Sequence, residues 1–229
     1  KLQWKKERSR LLPIIEKILS EGTYVIGKEV DNFEKNIAKF CGTKYAVAFN
    51  SGTDALTLGL MLLGVKKGDE VITPPNSFIS STSSIIHIGA VPIFADVLDD
   101  QNIDPKEIEK KITKKTKAIM PVHLTGRICD MKQIIKISKT YKIPIIEDAA
   151  QSIGSKYFNK KAGSFGDIGC FSAHPLKNLN ACGDGGFFVT NNYTIYKKAK
   201  ILRNHGLEDR NVVKNYGYIS RMDVIQSSI

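Results

Sequence analysis

Apolar residues recur at helical spacing at Val30, Phe33, Ile37 and Phe40, and Cys41-Gly42 closes that segment. Tyr45 to Phe49 is a short unbroken apolar run, the pattern of a buried strand. Ser51-Gly52 interrupts it, and an apolar helix from Thr53 to Leu63 follows, stopped by Gly64. Glu70 to Thr73 reads as a strand ended by Pro74-Pro75, followed by a helix to about His87 and a strand from Val91 to Ala95. Asp104-Pro105 has the form of a helix cap with proline in the first turn. Lys117 to Val122 predicts a strand, Met131 to Tyr141 a helix, and Ile143 to Ile146 a strand running into Glu147-Asp148. A hairpin over Tyr157 to Gly163, strands Ile168 to Ser172 and Gly186 to Thr190, and a helix from Tyr193 to Leu202 complete the regular part.

Strand and helix alternate at least four times, which predicts an α/β fold with a mainly parallel sheet covered on both faces. Ligands of such sheets bind beyond the carboxyl ends of the strands. Three segments rich in polar and small residues fall at or near those ends: Ser51-Gly52-Thr53, Pro74 to Phe78, and Asp148 to Gln151.

Composition adds little to this. The chain has 229 residues, 42% hydrophobic and 25% charged, ordinary for a globular protein with one large core. There is no apolar run long enough for a membrane span. Cysteines 41, 129, 170 and 182 form no C-x-x-C pair, so neither a zinc site nor a disulfide framework is expected; no metal is predicted, and reduced thiols fit the cytoplasm. The net charge of +11 comes from lysines spread along the chain without a recognition motif, which reads as solvated helix faces rather than a nucleic-acid surface, with attraction of an anionic substrate left open. Both ends read as interrupted, so the chain reads as part of a longer protein.

Three segments carry candidate chemistry. Ser51-Gly52-Thr53-Asp54, at a strand-to-helix turn, presents free backbone N–H groups and the Thr53 hydroxyl to a small anion. The same residues also fit a plain N-cap. Asp148 ends a buried apolar strand, and a carboxylate there needs a partner. A protonated pyridine nitrogen would serve, with Ala149 and Ala150 admitting a flat ring and Gln151 reaching its phenolic oxygen. A helix-capping Asp is the plainer alternative. Lys177 sits among apolar residues with glycines nearby, a setting that lowers an amine's pKa and suits a Schiff base; a surface lysine is the alternative. Ser172 lies close enough before it to share the anion of Thr53, and Phe78 is a candidate for stacking on a ring.

Their order along the chain resembles the sugar aminotransferase family called DegT/DnrJ/EryC1/StrS. The resemblance runs through Gly27-Lys28-Glu29-Val30, Ser51 to Leu56, Gly68 to Ile72, Pro121-Val122-His123-Leu124 and Glu147 to Ser152. It continues in His174-Pro175-Leu176-Lys177-Asn178-Leu179, Arg203-Asn204-His205-Gly206 and Ser220-Arg221-Met222-Asp223. It implies an α/β/α sandwich with a mixed, mainly parallel seven-stranded sheet, the aspartate-aminotransferase-like large domain of fold type I enzymes that use pyridoxal 5'-phosphate. The large domain would take residues 1–215, and 216–229 would begin a small C-terminal domain mostly absent from this chain.

The resemblance further implies that Lys177 anchors the cofactor and acts with Asp148 in catalysis. Gly52, Thr53 and Ser172 would hold the phosphate, Phe78 would stack on the ring and Gln151 would meet its oxygen. His123, Asn178 and Arg221 are candidate substrate contacts. The implied activity is transfer of an amino group from an amino acid, glutamate, to a keto sugar, nucleotide-linked, in a homodimer with sites at the subunit interface. A dehydratase branch of the family carries His in place of the anchoring lysine, so Lys177 favours transamination. A dehydratase or epimerase, or a regulator that binds the cofactor without turnover, are the alternatives. One departure stands out: Ile219 occupies a position where family members often carry an Asn that reaches the neighbouring subunit's phosphate.

Overall fold

In the computed structural model, which describes residues 2–229, the apolar runs become a seven-stranded mixed sheet. The strands are β1 (Tyr45–Phe49), β2 (Glu70–Thr73), β3 (Val91–Phe94), β4 (Thr116–Ile119), β5 (Ile146–Asp148), two short hairpin strands β6 (Lys156–Tyr157) and β7 (Lys160–Lys161), then β8 (Ile168–Ser172) and β9 (Gly186–Thr190). A second hairpin, β10 (Leu207–Asp209) with β11 (Val212–Val213), lies apart. Strands β3, β2 and β4 pair in parallel. Parallel bridges Ile119 to Ile145 and Val122 to Asp148 join β4 to β5, and β5 pairs in parallel with β8. Strand β9 inserts antiparallel between β8 and β1, giving the order β3-β2-β4-β5-β8-β9-β1.

The helices are α1 (Leu2–Glu21), α2 (Lys28–Cys41), α3 (Gly52–Leu62), α4 (Ile79–His87), α5 (Pro105–Lys111), α6 (Met131–Tyr141), α7 (Tyr193–Leu202) and α8 (Val224–Ser228). Side chains alternate across each strand, so Val47 and Phe49 face one core with Leu56, Leu60 and Ile85 of α3 and α4 and with Leu202 of α7. Ala46 and Ala48 face the other, with Val30 and Ile37 of α2. On that second face Ile72 and Ile119 pack on Ile108 of α5 and Ile134 of α6. These are the three layers expected from the alternation of elements.

Caps fix the joints. Gly42 takes the left-handed conformation (φ 75°) that ends α2, and Asp104 and Asp130 accept backbone N–H groups at the starts of α5 and α6. The outer edge of β1 is closed by an ion pair: Glu34 Oε1 accepts from Ala48 N at 2.9 Å and from Arg203 Nη1 at 2.6 Å, while Arg203 Nη1 also donates to the Ala48 carbonyl. The outward backbone groups of Ala48 are thereby satisfied and withdrawn from pairing with another strand.

Two expectations change. The strand placed over Lys117 to Val122 stops at Ile119, because Pro121 has no N–H to extend the ladder. Helix α1 was not foreseen; Pro13 lies inside it and only Leu11 and Ile18 are buried, which blurs its amphipathic pattern.

Candidate active site

The carboxyl ends of β1, β2, β5 and β8 point to one side of the sheet, and a cavity of about 470 Å³ opens there, a size suited to a small molecule. Its wall includes Gly52, Thr53, Phe78, His123, Asp148, Gln151, Ser172 and Lys177. A larger cleft of about 850 Å³ between α1, α2 and α8 is lined mainly by apolar groups such as Ile14, Phe33, Ile37 and Met222; its charged groups, Lys17 and Glu29, come from helix surfaces, and no buried carboxylate or strand-to-helix anion turn faces it.

The anion end is built by β1 running into α3. Ser51 is extended and caps the helix, accepting from Asp54 N at 3.1 Å on its side chain and from Ala55 N at 3.1 Å on its carbonyl. The first N–H groups of a helix have no partner within it, so those of Gly52 and Thr53 are left for a ligand, where the helix dipole favours negative charge. Gly52 is required by close approach: a Cβ there would lie 2.8 Å from Ser172 Cβ. Ser172 Oγ accepts from His174 N at 3.2 Å, which leaves its proton for an acceptor in the cavity. Gly52→Ala is expected to force α3 and β8 apart, lowering the melting temperature by several degrees and weakening retention of inorganic phosphate, both measurable on the purified protein.

Asp148, 5% exposed, forms the floor. Its Oδ2 accepts from Ser81 Oγ at 2.6 Å and its Oδ1 from Ala150 N at 3.2 Å. Burial pushes the carboxyl above its ordinary range, opposed by the Ser81 and Ala150 hydrogen bonds and by the neighbouring His123 and Lys177 side chains. Lys177 reaches the same cavity from a turn closed by its own N–H on the His174 carbonyl at 2.8 Å, and it is half-buried. Gln151 lines the wall and accepts from Thr125 N at 3.0 Å; Phe78 stands at the rim, 67% exposed.

The three candidate substrate contacts are placed differently. His123 lines the cavity but is fully buried, with Nε2 on Glu147 at 2.9 Å and Nδ1 accepting from Cys129 N at 3.3 Å, so neither nitrogen is free for a substrate. Asn178 lines the adjoining clefts instead. Arg221 is outside the cavity wall and donates to Asn204 Oδ1 at 2.9 Å. Sequence reasoning missed Ser77, Ser80 and Ser81, which line the cavity, and Glu147, which holds His123. The available signal was the hydroxyl-rich start of α4 directly after Pro74-Pro75.

The residues present suit pyridoxal 5'-phosphate: a helix N-terminus with hydroxyls for a phosphate, a buried carboxylate for a ring nitrogen, and an amine for an aldehyde.

Comparison with known proteins agrees. The model of the DegT/DnrJ/EryC1/StrS aminotransferase family matches residues 5–229. The UDP-N-acetyl-3-dehydro-alpha-D-glucosamine 3-aminotransferase of Acidithiobacillus ferrooxidans is 42% identical over 224 residues, 97% of this chain and 60% of its own length. The pleiotropic regulatory protein of Geobacillus stearothermophilus is 37% identical over 228 residues, 99% of this chain and 61% of its own. The crystal structure of S. venezuelae DesV in complex with a ketimine intermediate superposes with a TM-score of 0.96 at 36% identity, covering 99% of this chain and 62% of that one. The chain therefore spans about three-fifths of the length of the curated relatives it matches.

Proposed function

Because the chain belongs to the DegT/DnrJ/EryC1/StrS aminotransferase family and has the fold type I architecture, we propose that it binds pyridoxal 5'-phosphate and transfers an amino group from glutamate to a keto sugar carried on a nucleotide. In this reading the product serves a surface polysaccharide or a modified sugar, the enzyme works as a homodimer in the cytoplasm, and residues 1–215 are its cofactor-binding domain, with 216–229 opening a small second one. The curated relative named above as a UDP-sugar aminotransferase supports the substrate class. The three buried free cysteines, and the lack of any helix long and apolar enough to cross a membrane among the described residues, are compatible with that location.

One observation carries the reading: an amine, Lys177, and a buried carboxylate, Asp148, line one cavity together with a helix N-terminus. When bound, the cofactor supplies an aldehyde for amines and a ring that accepts electrons. Lys177 would hold the aldehyde carbon and, once displaced by the amino donor, move the proton from the donor's α-carbon. Asp148 would keep a proton on the ring nitrogen. Gly52, Thr53 and Ser172 would bind the phosphate, Gln151 the ring oxygen, and Phe78 would cover the ring and exclude water.

The purified protein is expected to show a visible absorption band that borohydride removes. Glutamate should bleach the band and release 2-oxoglutarate. A band indifferent to glutamate and every other amino acid would defeat the transaminase assignment. It would favour the second reading, a regulator that binds the cofactor without turnover, which the relative named as a regulatory protein suggests.

A further inference from the structure

Two hydroxyls in series end on Asp148. Ser81 Oγ donates to Asp148 Oδ2 at 2.6 Å, and Ser77 Oγ lies 2.7 Å from Ser81 Oγ. A serine hydroxyl has a single proton. Since that of Ser81 lies on the carboxylate, Ser77 must donate to the Ser81 oxygen. The chain therefore has a direction, Ser77 to Ser81 to Asp148, and each bond polarises the next. The start of α4 creates it: Ser77 precedes the helix, Ser81 lies in its first turn four residues on, and Ser81 is 1% exposed. The other carboxylate oxygen takes the Ala150 N–H. Bonds on both oxygens fix the plane of the carboxylate.

We propose that Ser81, backed by Ser77, is a positioning residue that orients the Asp148 carboxylate and reserves it for a cationic ring nitrogen on the cavity side. The last clause rests on the cofactor assignment above; the hydroxyl chain does not. Burial opposes charge on Asp148, and Ser81 is the foremost group acting against it, ahead of the Ala150 N–H and the His123 and Lys177 side chains. From β8 comes only the buried Cys170 thiol, pushed up by its own burial. The adjacent Glu147 carboxylate is turned away onto Gly163, Phe165, Gly166 and His123. Without the Ser81 hydroxyl Asp148 protonates more readily, and a protonated acid no longer holds a proton on the ring nitrogen.

The test is a carbon-13 carboxyl NMR titration of the protein without cofactor, with the Asp148 signal assigned through Asp148→Asn. Ser81→Ala should move the Asp148 midpoint up by about one pH unit, the order expected when a charged group loses a hydrogen bond. Ser77→Ala should move it by a smaller amount in the same direction, and by nothing further when Ser81 is already alanine, because it acts through Ser81. Ser81→Thr, which keeps the hydroxyl, should restore the wild-type midpoint. An unmoved midpoint in Ser81→Ala overturns the proposal, as does an equal Ser77→Ala effect in both backgrounds. If the titrations behave as expected while wild-type protein fails to bind pyridoxal 5'-phosphate, the hydroxyl chain stands and the cofactor assignment falls.

Discussion

Lys177→Ala should cut the glutamate half-reaction by about a thousandfold or more while leaving the melting temperature nearly unchanged. On the proposed assignment two losses would combine: the covalent attachment point would disappear, and so would the group that carries the α-proton, a role worth about 10²–10⁴ in rate by itself. Stability is spared because Lys177 is only half-buried, in a turn held by backbone hydrogen bonds rather than by its side chain. Lys177→Arg should fail as well, since a guanidinium does not release its proton at neutral pH. Adding a small primary amine to the alanine variant should restore part of the rate, because the missing chemistry is that of an amine. The borohydride-sensitive band should be absent from both variants. A normal band in Lys177→Ala would assign the attachment to another lysine and dissolve the pairing with Asp148.

Each of the candidates Thr53, Asp148 and Lys177 follows a recognisable break, but each break alone also fits a plain cap or a surface lysine; only their joint order, through the family resemblance, pointed to one site. Thr53 follows a strand and a glycine, Asp148 ends an apolar run, and Lys177 sits in a glycine-flanked loop after β8. Strands such as Tyr45–Phe49 and Gly186–Thr190 were legible for the same reason: short β-rich runs between turn residues. Their neighbours were not. Strand β9 pairs with β1 from the far end of the chain, Tyr45 opposite Thr190, and no local pattern encodes that. The hydroxyl of Ser81 was overlooked likewise, since its partner lies 67 residues away. His123 shows the opposite case: a polar residue that read as available for substrate is already engaged with Glu147 and Cys129.

Glu147→Ala should be the most destabilising of the substitutions considered, by on the order of 5 kcal/mol. Glu147 is fully buried and receives four donors: Gly163 N at 2.8 Å and His123 Nε2 at 2.9 Å on Oε2, Phe165 N at 2.7 Å and Gly166 N at 2.6 Å on Oε1. Truncation strands all four; an unpaired donor costs roughly 1–3 kcal/mol where it is buried, as at Gly163 and His123, and less where it is part-buried, as at Phe165 and Gly166, against about 5–15 kcal/mol for a whole domain. For a chain of this length the melting temperature should fall by roughly 10–20 °C, read by calorimetry or circular dichroism. Glu147→Gln should cost less but still several degrees, because its amide keeps one acceptor and turns an NH₂ toward the donors. The damage should also reach the cavity. The anchored segment lies hard against β8, so close that a Cβ on Gly169 would stand 2.2 Å from Gly163 Cα, and β8 ends in Ser172 at the anion turn. Phosphate retention should therefore weaken in Glu147→Ala even at temperatures where the protein remains folded. A melting temperature within two or three degrees of wild type would mean that water replaces the carboxylate, and that the segment from Gly163 to Gly166 is held by packing alone.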